Sequence, residues 1–228
     1  MHTRLCEQGL SIFAFDLRGF GKTALDLTHK SATSAYGKTG WSHQLDDLEW
    51  AIQHTHKEFP DLPVFLMGTS LGGGAVLGLL CKKDRSARPE ASGLSGVIAG
   101  SPCLTLTAPP PKPVVWIATL IARVRPATLF PFRNKPDDLS RNSTTNAAYN
   151  ADPLVRTPGS FGSLLDMING GQKILKEIYV NWPQSMPVTS FASTTELFTK
   201  LTATDKKLIL YPRATSYTMS LTASRSNL

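Results

Sequence analysis

The amino-acid sequence predicts an α/β fold with a mostly parallel sheet. Three short apolar runs, residues 10–15, 63–68 and 94–100, are typical of buried strands. Stretches of helical character separate these runs, and strands that alternate with helices pair in parallel and are covered on both faces. The chain of 228 residues and 24.8 kDa suits one domain of the larger sort.

The first strand, residues 10–15, ends at Asp16 and leads into a loop rich in glycine, threonine, serine and lysine. Ser42 is placed to cap a helix that runs to about Phe59, since Pro60 follows. The apolar positions that fall on one face of this helix are Leu45, Leu48, Ile52 and Phe59. We therefore expect that face to pack against the sheet.

Later elements continue the alternation of strands and helices. Residues 72–80 are small and apolar and predict a helix packed tightly on the sheet. Helical texture returns over residues 161–179, and residues 207–211 predict a last strand.

The segment of about residues 102–160 looks like an insertion into a domain that spans residues 1–212. It holds a stiff proline-rich spacer at 109–113 and a helix at 114–125 that is apolar nearly all round. This helix predicts either a cover over a cavity or a plain core helix. Residues 213–228 form a tail rich in serine and threonine without any acid, which predicts disorder or poor packing.

Composition and charge exclude several classes of protein. The net charge is +7, but the longest basic clusters are two lysine pairs, each beside an aspartate, so we expect no nucleic-acid binding. The longest apolar stretch, residues 114–122, is far short of the roughly 20 residues that a membrane span needs. A globular composition with 41% hydrophobic residues also excludes a disordered or collagen-like chain.

The three cysteines, Cys6, Cys81 and Cys103, predict reduced thiols and a cytoplasmic location. No spacing of cysteine and histidine is typical of a metal site, and no motif calls for a cofactor. Cys81 and Cys103 are expected to be buried small apolar residues rather than nucleophiles.

The sequence Gly-Thr-Ser-Leu-Gly at residues 68–72 carries the chemistry. It fits the G-x-S-x-G pattern and lies between an apolar strand and a glycine-rich helix, the context that the pattern requires. A serine at such a sharp turn projects its hydroxyl into open space, and the following helix directs its N–H groups at developing negative charge. We therefore predict Ser70 as a nucleophile and the backbone N–H of Leu71 as an oxyanion donor.

A second motif, D-x-R-G-x-G at residues 16–21, follows the first strand. An ATP-binding P-loop is excluded here, because Asp16 stands where that pattern needs a glycine. Together with residues 68–73, the motif resembles the α/β-hydrolase superfamily, and within it the serine aminopeptidase S33 or lysophospholipase-like group that includes monoacylglycerol lipases. Ser101-Pro102 and residues 139–142 also look like that group, and the resemblance spans about residues 9–212.

The resemblance implies a fold with a nucleophile elbow at Ser70 and a helical lid formed by the insertion. It implies structural roles for the other residues of the two motifs, namely Asp16, Arg18, Gly19, Gly21, Gly68, Gly72 and Gly73. The implied activity is hydrolysis of small lipid esters, most of all monoacylglycerols or lysophospholipids, without a cofactor. The lid would admit acyl chains and could touch a membrane or lipid droplet, so the location could be peripheral on membranes.

Measured against that family, parts of the machinery are not found in the sequence. The family's aspartate and histidine follow its serine, yet the five histidines are His2, His29, His43, His54 and His56. Residues 186–188 resemble the penultimate strand and run directly into residues 189–197, which resemble the helix beyond the aspartate loop. About a dozen residues, including the family's aspartate, therefore look deleted.

We expect a sheet that is incomplete at both ends. The family's first strands and its H-G-x-G loop, which gives the second oxyanion donor, would precede residue 1. Asp152, Asp205 and Glu196 are weak substitutes for the acid, and His43, His54 and His56 are expected to face solvent on their helix. The alternatives left open are an impaired esterase, a non-catalytic protein that binds a lipid or a partner, and a chain without a stable fold.

Overall fold

The computed structural model describes residues 2–82, 93–105, 110–131, 136, 140, 142–155, 158–178 and 200. The predicted last strand, the tail, the apparent deletion around residue 188, and the candidate acids Asp205 and Glu196 lie outside the described residues.

The described helices and strands follow one another along the chain as α1 (His2–Cys6), α2 (Gly21–Leu25), α3 (Trp41–Glu58), β1 (Val64–Thr69), α4 (Leu71–Leu80), β2 (Leu94–Gly100), α5 (Lys112–Val124), β3 (Leu129–Pro131), α6 (Ser143–Ala151), β4 (Pro158–Ser160) and α7 (Phe161–Lys173), which ends in a π-helical turn (Ile174–Ile178).

The centre of the fold is the unit β1–α4–β2. The strands β1 and β2 pair in parallel, with Phe65 opposite Gly96 and Thr69 opposite Gly100, as predicted for strands joined by a helix. Helix α4 is buried on all sides, which its sequence permits because it is apolar all round. Leu77 and Leu80 are completely inaccessible to solvent. These elements agree with the sequence predictions to within one residue at each end.

The core lies on the α4 side of the sheet. Its buried side chains come from α3, α4, β2, the loop after β2 and the end of α7: Leu45, Leu48, Ile52, Ala75, Val76, Leu77, Leu79, Leu80, Cys81, Leu94, Val97, Ala99, Leu104, Ile174 and Leu175. Val64 and Leu66 of β1 also face this core, whereas the alternate residues Phe65 and Met67 are exposed. The expectation that both faces of the sheet are covered is therefore wrong for β1 within the described residues.

The predicted strand at residues 10–15 is wrong. No strand forms there, and Leu10 and Phe13 are 54% and 41% exposed. An apolar run predicts burial, but a strand also needs a neighbour for its backbone, and among the described residues β1 pairs only with β2. Phe13 instead contacts the ring of His54 on α3, with the centroids 5.0 Å apart.

Helix α3 is confirmed over Trp41–Glu58, but its predicted cap at Ser42 is wrong. The N-cap residue is Gly40, and Ser42 already lies inside the first turn. The backbone N–H of Trp41, which has no partner within the helix, donates instead to the carboxylate of Asp166 on α7, at 3.2 Å. A partner 125 residues away in sequence thus replaces the local cap.

The predicted insertion contains α5, β3, α6 and β4. Strands β3 and β4 pair in antiparallel fashion, with Leu129 opposite Ser160. Helix α5 packs against α7, yet it has no buried residue, so it is not a plain core helix. Among the described residues, no helix is both long and apolar enough to cross a bilayer.

Candidate active site

Ser70 occupies the single residue between the end of β1 and the start of α4. Its φ of 55° and ψ of −114° lie in a region that residues with a side chain seldom adopt. Such strain costs on the order of 1–3 kcal/mol and persists only where surrounding contacts impose it. Because the turn is so sharp, Ser70 is exposed although both elements that it joins pack into the core.

Three backbone hydrogen bonds hold this conformation. The N–H of Ser70 donates to the carbonyl of Gly100 at 2.8 Å. The carbonyl of Ser70 accepts from the N–H of Cys103 at 2.9 Å and from the N–H of Gly74 at 3.0 Å. Both peptide groups of the serine are therefore fixed by β2, the turn after it and the first turn of α4.

The glycines of the G-x-S-x-G-G motif provide the space that this turn needs. A Cβ on Gly68 would overlap the backbone of Gly72, and a Cβ on Gly73 would lie 3.0 Å from the Cα of Pro102. A Cβ on Gly72, in contrast, would meet nothing within 4 Å. Gly68 and Gly73 thus serve close packing, whereas Gly72 borders open space.

The chemical groups at the turn are a hydroxyl and a free N–H. Within the described residues, the hydroxyl of Ser70 has no hydrogen-bond partner, and neither has the N–H of Leu71, the first residue of α4. The unpaired N–H groups of a helix N-terminus favour an anion. The arrangement can therefore stabilise negative charge that develops beside Ser70.

The D-x-R-G-x-G loop is tied to the scaffold. The carboxylate of Asp16 accepts from the N–H of Lys22 at 2.8 Å, in the first turn of α2. Arg18 binds Asp47 of α3 through its guanidinium and through its backbone N–H, both at 2.8 Å. These contacts anchor the loop to α2 and α3, and none of them involves Ser70.

The two glycines of that loop have positive φ values. Gly19, at φ 85°, passes so close to Lys38 that a Cβ would lie 3.1 Å from its carbonyl carbon. Gly21, at φ 47°, leaves room for the carboxylate of Asp16, which a Cβ would overlap. Both positions therefore need a glycine for the loop to close.

Among the described side chains, no hydrogen bond joins Ser70 to His29, His43, His54 or His56. His43 is exposed, as predicted, but His54 and His56 are partly buried, so the expectation that they face solvent is wrong for these two. His54 stacks on Trp50, with ring centroids 5.3 Å apart. Phe13, from the segment before α2, also packs against the ring of His54, at a centroid distance of 5.0 Å. His29 lies on a surface loop, where its Nδ1 is 3.1 Å from Asp26.

The carboxylate of Asp26 is already engaged by its own loop. The N–H of Thr28 and the side chain and N–H of His29 lower the pKa of Asp26, so it stays ionised at neutral pH. Asp152, one of the predicted substitute acids, accepts from the N–H of Leu154 at 2.8 Å in the turn after α6. Among the described residues, no group of three potential ligand side chains could hold a metal ion.

The cysteines differ in their surroundings. Cys81 is fully buried, as predicted, Cys6 is exposed, and Cys103 is partly buried beside the backbone of Ser70. Burial raises the pKa of the Cys103 thiol above its usual value of 9.0. The thiol therefore stays protonated at neutral pH and is a poor nucleophile.

Sequence reasoning noted Ser101 only as part of the resemblance and gave no role to this first residue after β2. Its φ is 41°, and its hydroxyl is buried without a hydrogen-bond partner among the described residues. The only available signal was its position at the carboxyl end of a strand beside that of Ser70, directly before Pro102.

The exposed side of α5 is apolar. A surface trough of about 380 Å³ runs along the C-terminal half of α5 and is lined by Leu120, Ile121, Val124, Arg125 and Thr128. A second cleft of about 350 Å³ lies on the surface between α5 and α7 and is lined by residues of both helices. Ser70 lines neither cavity.

The amino-acid sequence is similar to those of several known proteins. The family model described as serine aminopeptidase, S33 matches residues 1–215. A relative from Schizosaccharomyces pombe is 31% identical over 176 residues, which are 75% of this chain and 43% of its own length. The monoglyceride lipase of Saccharomyces cerevisiae is 26% identical over 236 aligned residues, covering 95% of this chain and 72% of that protein.

The fold also matches solved structures. The crystal structure of a soluble variant of the Saccharomyces cerevisiae monoglyceride lipase, in complex with a substrate analogue, superposes with a TM-score of 0.69. The match has 24% identity and covers 88% of this chain and 68% of that one. The structural likeness establishes the α/β-hydrolase fold, and the chain spans less than half the length of the fission-yeast relative.

Proposed function

Because the chain belongs to the serine aminopeptidase S33 family of α/β-hydrolases, we propose that it is a serine hydrolase of carboxylic esters with Ser70 as its nucleophile. The observation that carries the proposal is the strained, exposed serine between β1 and α4, beside the free N–H of Leu71. Backbone strain of this kind clusters at functional sites, and no described residue forms a hydrogen bond with the hydroxyl.

The groups at the turn supply the nucleophile and one oxyanion donor of this reaction. The Ser70 oxygen attacks the ester carbonyl, and the carbonyl oxygen gains negative charge. The serine proton passes to a general base, a role that no described side chain hydrogen-bonded to the hydroxyl fills. The Leu71 N–H donates to that oxyanion, the alcohol leaves with a proton, and an acyl-serine remains. Water then adds to the acyl carbon, and the carboxylic acid leaves as the Ser70 hydroxyl regains a proton.

The proposed substrates are monoacylglycerols or lysophospholipids. The curated relative from Saccharomyces cerevisiae is named a monoglyceride lipase, which supports a small lipid ester as the substrate. Asp16, Arg18, Gly19 and Gly21 would shape their own loop, and Gly68 and Gly73 would let the serine turn pack closely, rather than take part in the reaction. Gly72 would leave open space beside Ser70.

One observation favours a second candidate function. Within the described residues no side chain bonds the Ser70 hydroxyl, and all five histidines of the sequence precede it. A serine without a general base is a weak nucleophile. The second candidate is therefore a non-catalytic protein that binds a lipid or a partner beneath the lid segment.

A fluorophosphonate probe tests the proposed function. We expect the purified protein to be labelled at Ser70, because an activated serine attacks the phosphorus atom, and we expect Ser70→Ala to abolish labelling. Ser42→Ala, at an exposed serine of α3, is the matched control and should be labelled like the wild type. Mass spectrometry of the labelled peptide identifies the site.

The other outcomes each have a meaning. Labelling that survives Ser70→Ala would place the nucleophile elsewhere and contradict the proposal. A protein that is folded by circular dichroism, yet unlabelled, would favour the non-catalytic candidate. A purified chain without secondary structure would instead support the third alternative, a chain that forms no stable fold.

We also propose that the protein is cytoplasmic and that α5 brings it to membranes or lipid droplets. Its large exposed apolar residues are Val114, Trp116, Ile117, Leu120 and Val124. Lys112, Arg123 and Arg125 lie at its two ends, and residues 101–136 contain no acid. An apolar helix face with basic flanks lies in the interface of anionic lipids.

Sedimentation with phosphatidylcholine vesicles that contain phosphatidylglycerol checks this contact. Replacing Trp116 and Val124 together by serine should weaken binding about tenfold or more, because two exposed apolar side chains no longer enter the lipid. Leu27→Ser removes a residue that is 86% exposed on another surface and should bind like the wild type. Equal sedimentation of all three proteins would exclude α5 as the contact.

A further inference from the structure

We infer that the turn at residues 100–103 is a clamp for the nucleophile, and that Ser101 is its positioning residue. The inference rests on the proposed role of Ser70 and concerns what keeps that serine in its strained conformation. A strained residue needs contacts that over-determine it, and they should be found on rigid elements next to it.

The clamp holds Ser70 from both sides of its Cα. Gly100, the last residue of β2, accepts from the Ser70 N–H at 2.8 Å, and the Cys103 N–H donates to the Ser70 carbonyl at 2.9 Å. The acceptor and the donor are only three residues apart along the chain. Between them the backbone must turn sharply, so that a carbonyl and an N–H both reach the same residue.

Ser101 makes this turn. It has a φ of 41°, and Ser70 and Ser101 are the two described non-glycine residues with positive φ. The two strained serines follow directly from the paired ends of β1 and β2, where Thr69 lies opposite Gly100. Each of the two neighbouring strands is thus followed by a serine with positive φ. The two hydrogen bonds join the turn at Ser70 to the turn at residues 100–103.

The side chain of Ser101 contributes little besides its small size. Its hydroxyl is buried and has no hydrogen-bond partner among the described residues, so the fold does not use it as a donor or acceptor. Close contacts surround the turn, since a Cβ on Gly73 or on Gly74 would lie 3.0 Å from the Cα of Pro102 or the carbonyl oxygen of Cys103. Position 101 therefore requires a residue that tolerates positive φ and is small.

Amide hydrogen exchange of the wild-type protein gives the first test, and it does not depend on activity. The N–H groups of Ser70 and Cys103 should exchange at least about tenfold more slowly than that of Leu71, which has no partner. Exchange of all three amides at similar rates would overturn the clamp.

Two substitutions at position 101 give the second test. Glycine adopts positive φ without strain, so Ser101→Gly should keep both amides protected. A β-branched residue resists positive φ, so Ser101→Val should speed exchange of the Ser70 and Cys103 amides about tenfold while the Leu77 amide in α4 is unchanged. Ser95→Val on β2, at a serine whose φ is not positive, is the matched control and should leave all three amides as in the wild type.

Loss of protection in Ser101→Gly would overturn the role of the backbone at position 101, and this variant carries the test if Ser101→Val does not fold. Unchanged protection in a folded Ser101→Val would also overturn it. Fluorophosphonate labelling adds the functional readout: Ser101→Val should label about tenfold more slowly, and Ser101→Gly at the wild-type rate. Protected amides in an unlabelled wild type would contradict the proposed hydrolase activity and leave the clamp standing.

Discussion

Replacing Gly68 by alanine is expected to destabilise the protein by about 3 kcal/mol or more, which is a large part of the stability of an ordinary domain. The new Cβ would overlap the carbonyl group of Gly72 in the first turn of α4. Flexible side chains can move away from such an overlap, but here the neighbour is backbone, fixed by hydrogen bonds at both ends of the turn. Urea unfolding followed by circular dichroism measures the loss.

Gly72, in the same motif, provides a control at which alanine should not lower the stability of the protein. A Cβ at Gly72 meets nothing within 4 Å, and the residue lies in a helix, where alanine is more favourable than glycine by roughly 0.5–1 kcal/mol. Gly72→Ala should therefore be neutral or slightly stabilising. If both variants lost equal stability, the close approach of strand and helix at Gly68 would be contradicted.

The contrast between Gly68 and Gly72 shows which features of the site the sequence alone can predict. The pattern G-x-S-x-G, with an apolar strand before it and a small-residue helix after it, predicts the elbow because each of these signals is local. It does not distinguish the glycine that is packed against backbone from the one that borders open space. That difference depends on how β1 and α4 approach each other, which only the three-dimensional structure shows.

The wrong predictions share the same physical origin. Residues 10–15 have the composition of a strand, but backbone pairing depends on a neighbour that no local pattern reports. The cap of α3 comes from Asp166, far away in sequence, and the partial burial of His54 comes from Phe13 and Trp50. The strain at Ser101 also left no sequence signal of its own, because serine is common in turns.

A second large effect is expected at Trp41, the first residue of α3. Its ring lies between two other helices and occupies the space that a Cβ on Gly78 of α4 or on Gly170 of α7 would need. Trp41→Ala should therefore cost about 3–5 kcal/mol, since glycines on both sides cannot fill the cavity. Trp116→Ala removes the same side chain from the surface of α5, where it is 69% exposed, and should change stability by less than about 0.5 kcal/mol.

Gly78→Ala completes a double-mutant cycle with Trp41→Ala. In the wild type its Cβ overlaps the indole ring, which should cost about 1–3 kcal/mol. Once Trp41 is alanine, the same methyl group enters the vacated space and also favours the helix, so its effect should become neutral or stabilising. A coupling of about 1 kcal/mol or more, measured by urea unfolding of the four proteins, is the expected result. Strict additivity would mean that the ring does not separate α4 from α7, and the packing that brings Asp166 to the start of α3 would need another explanation.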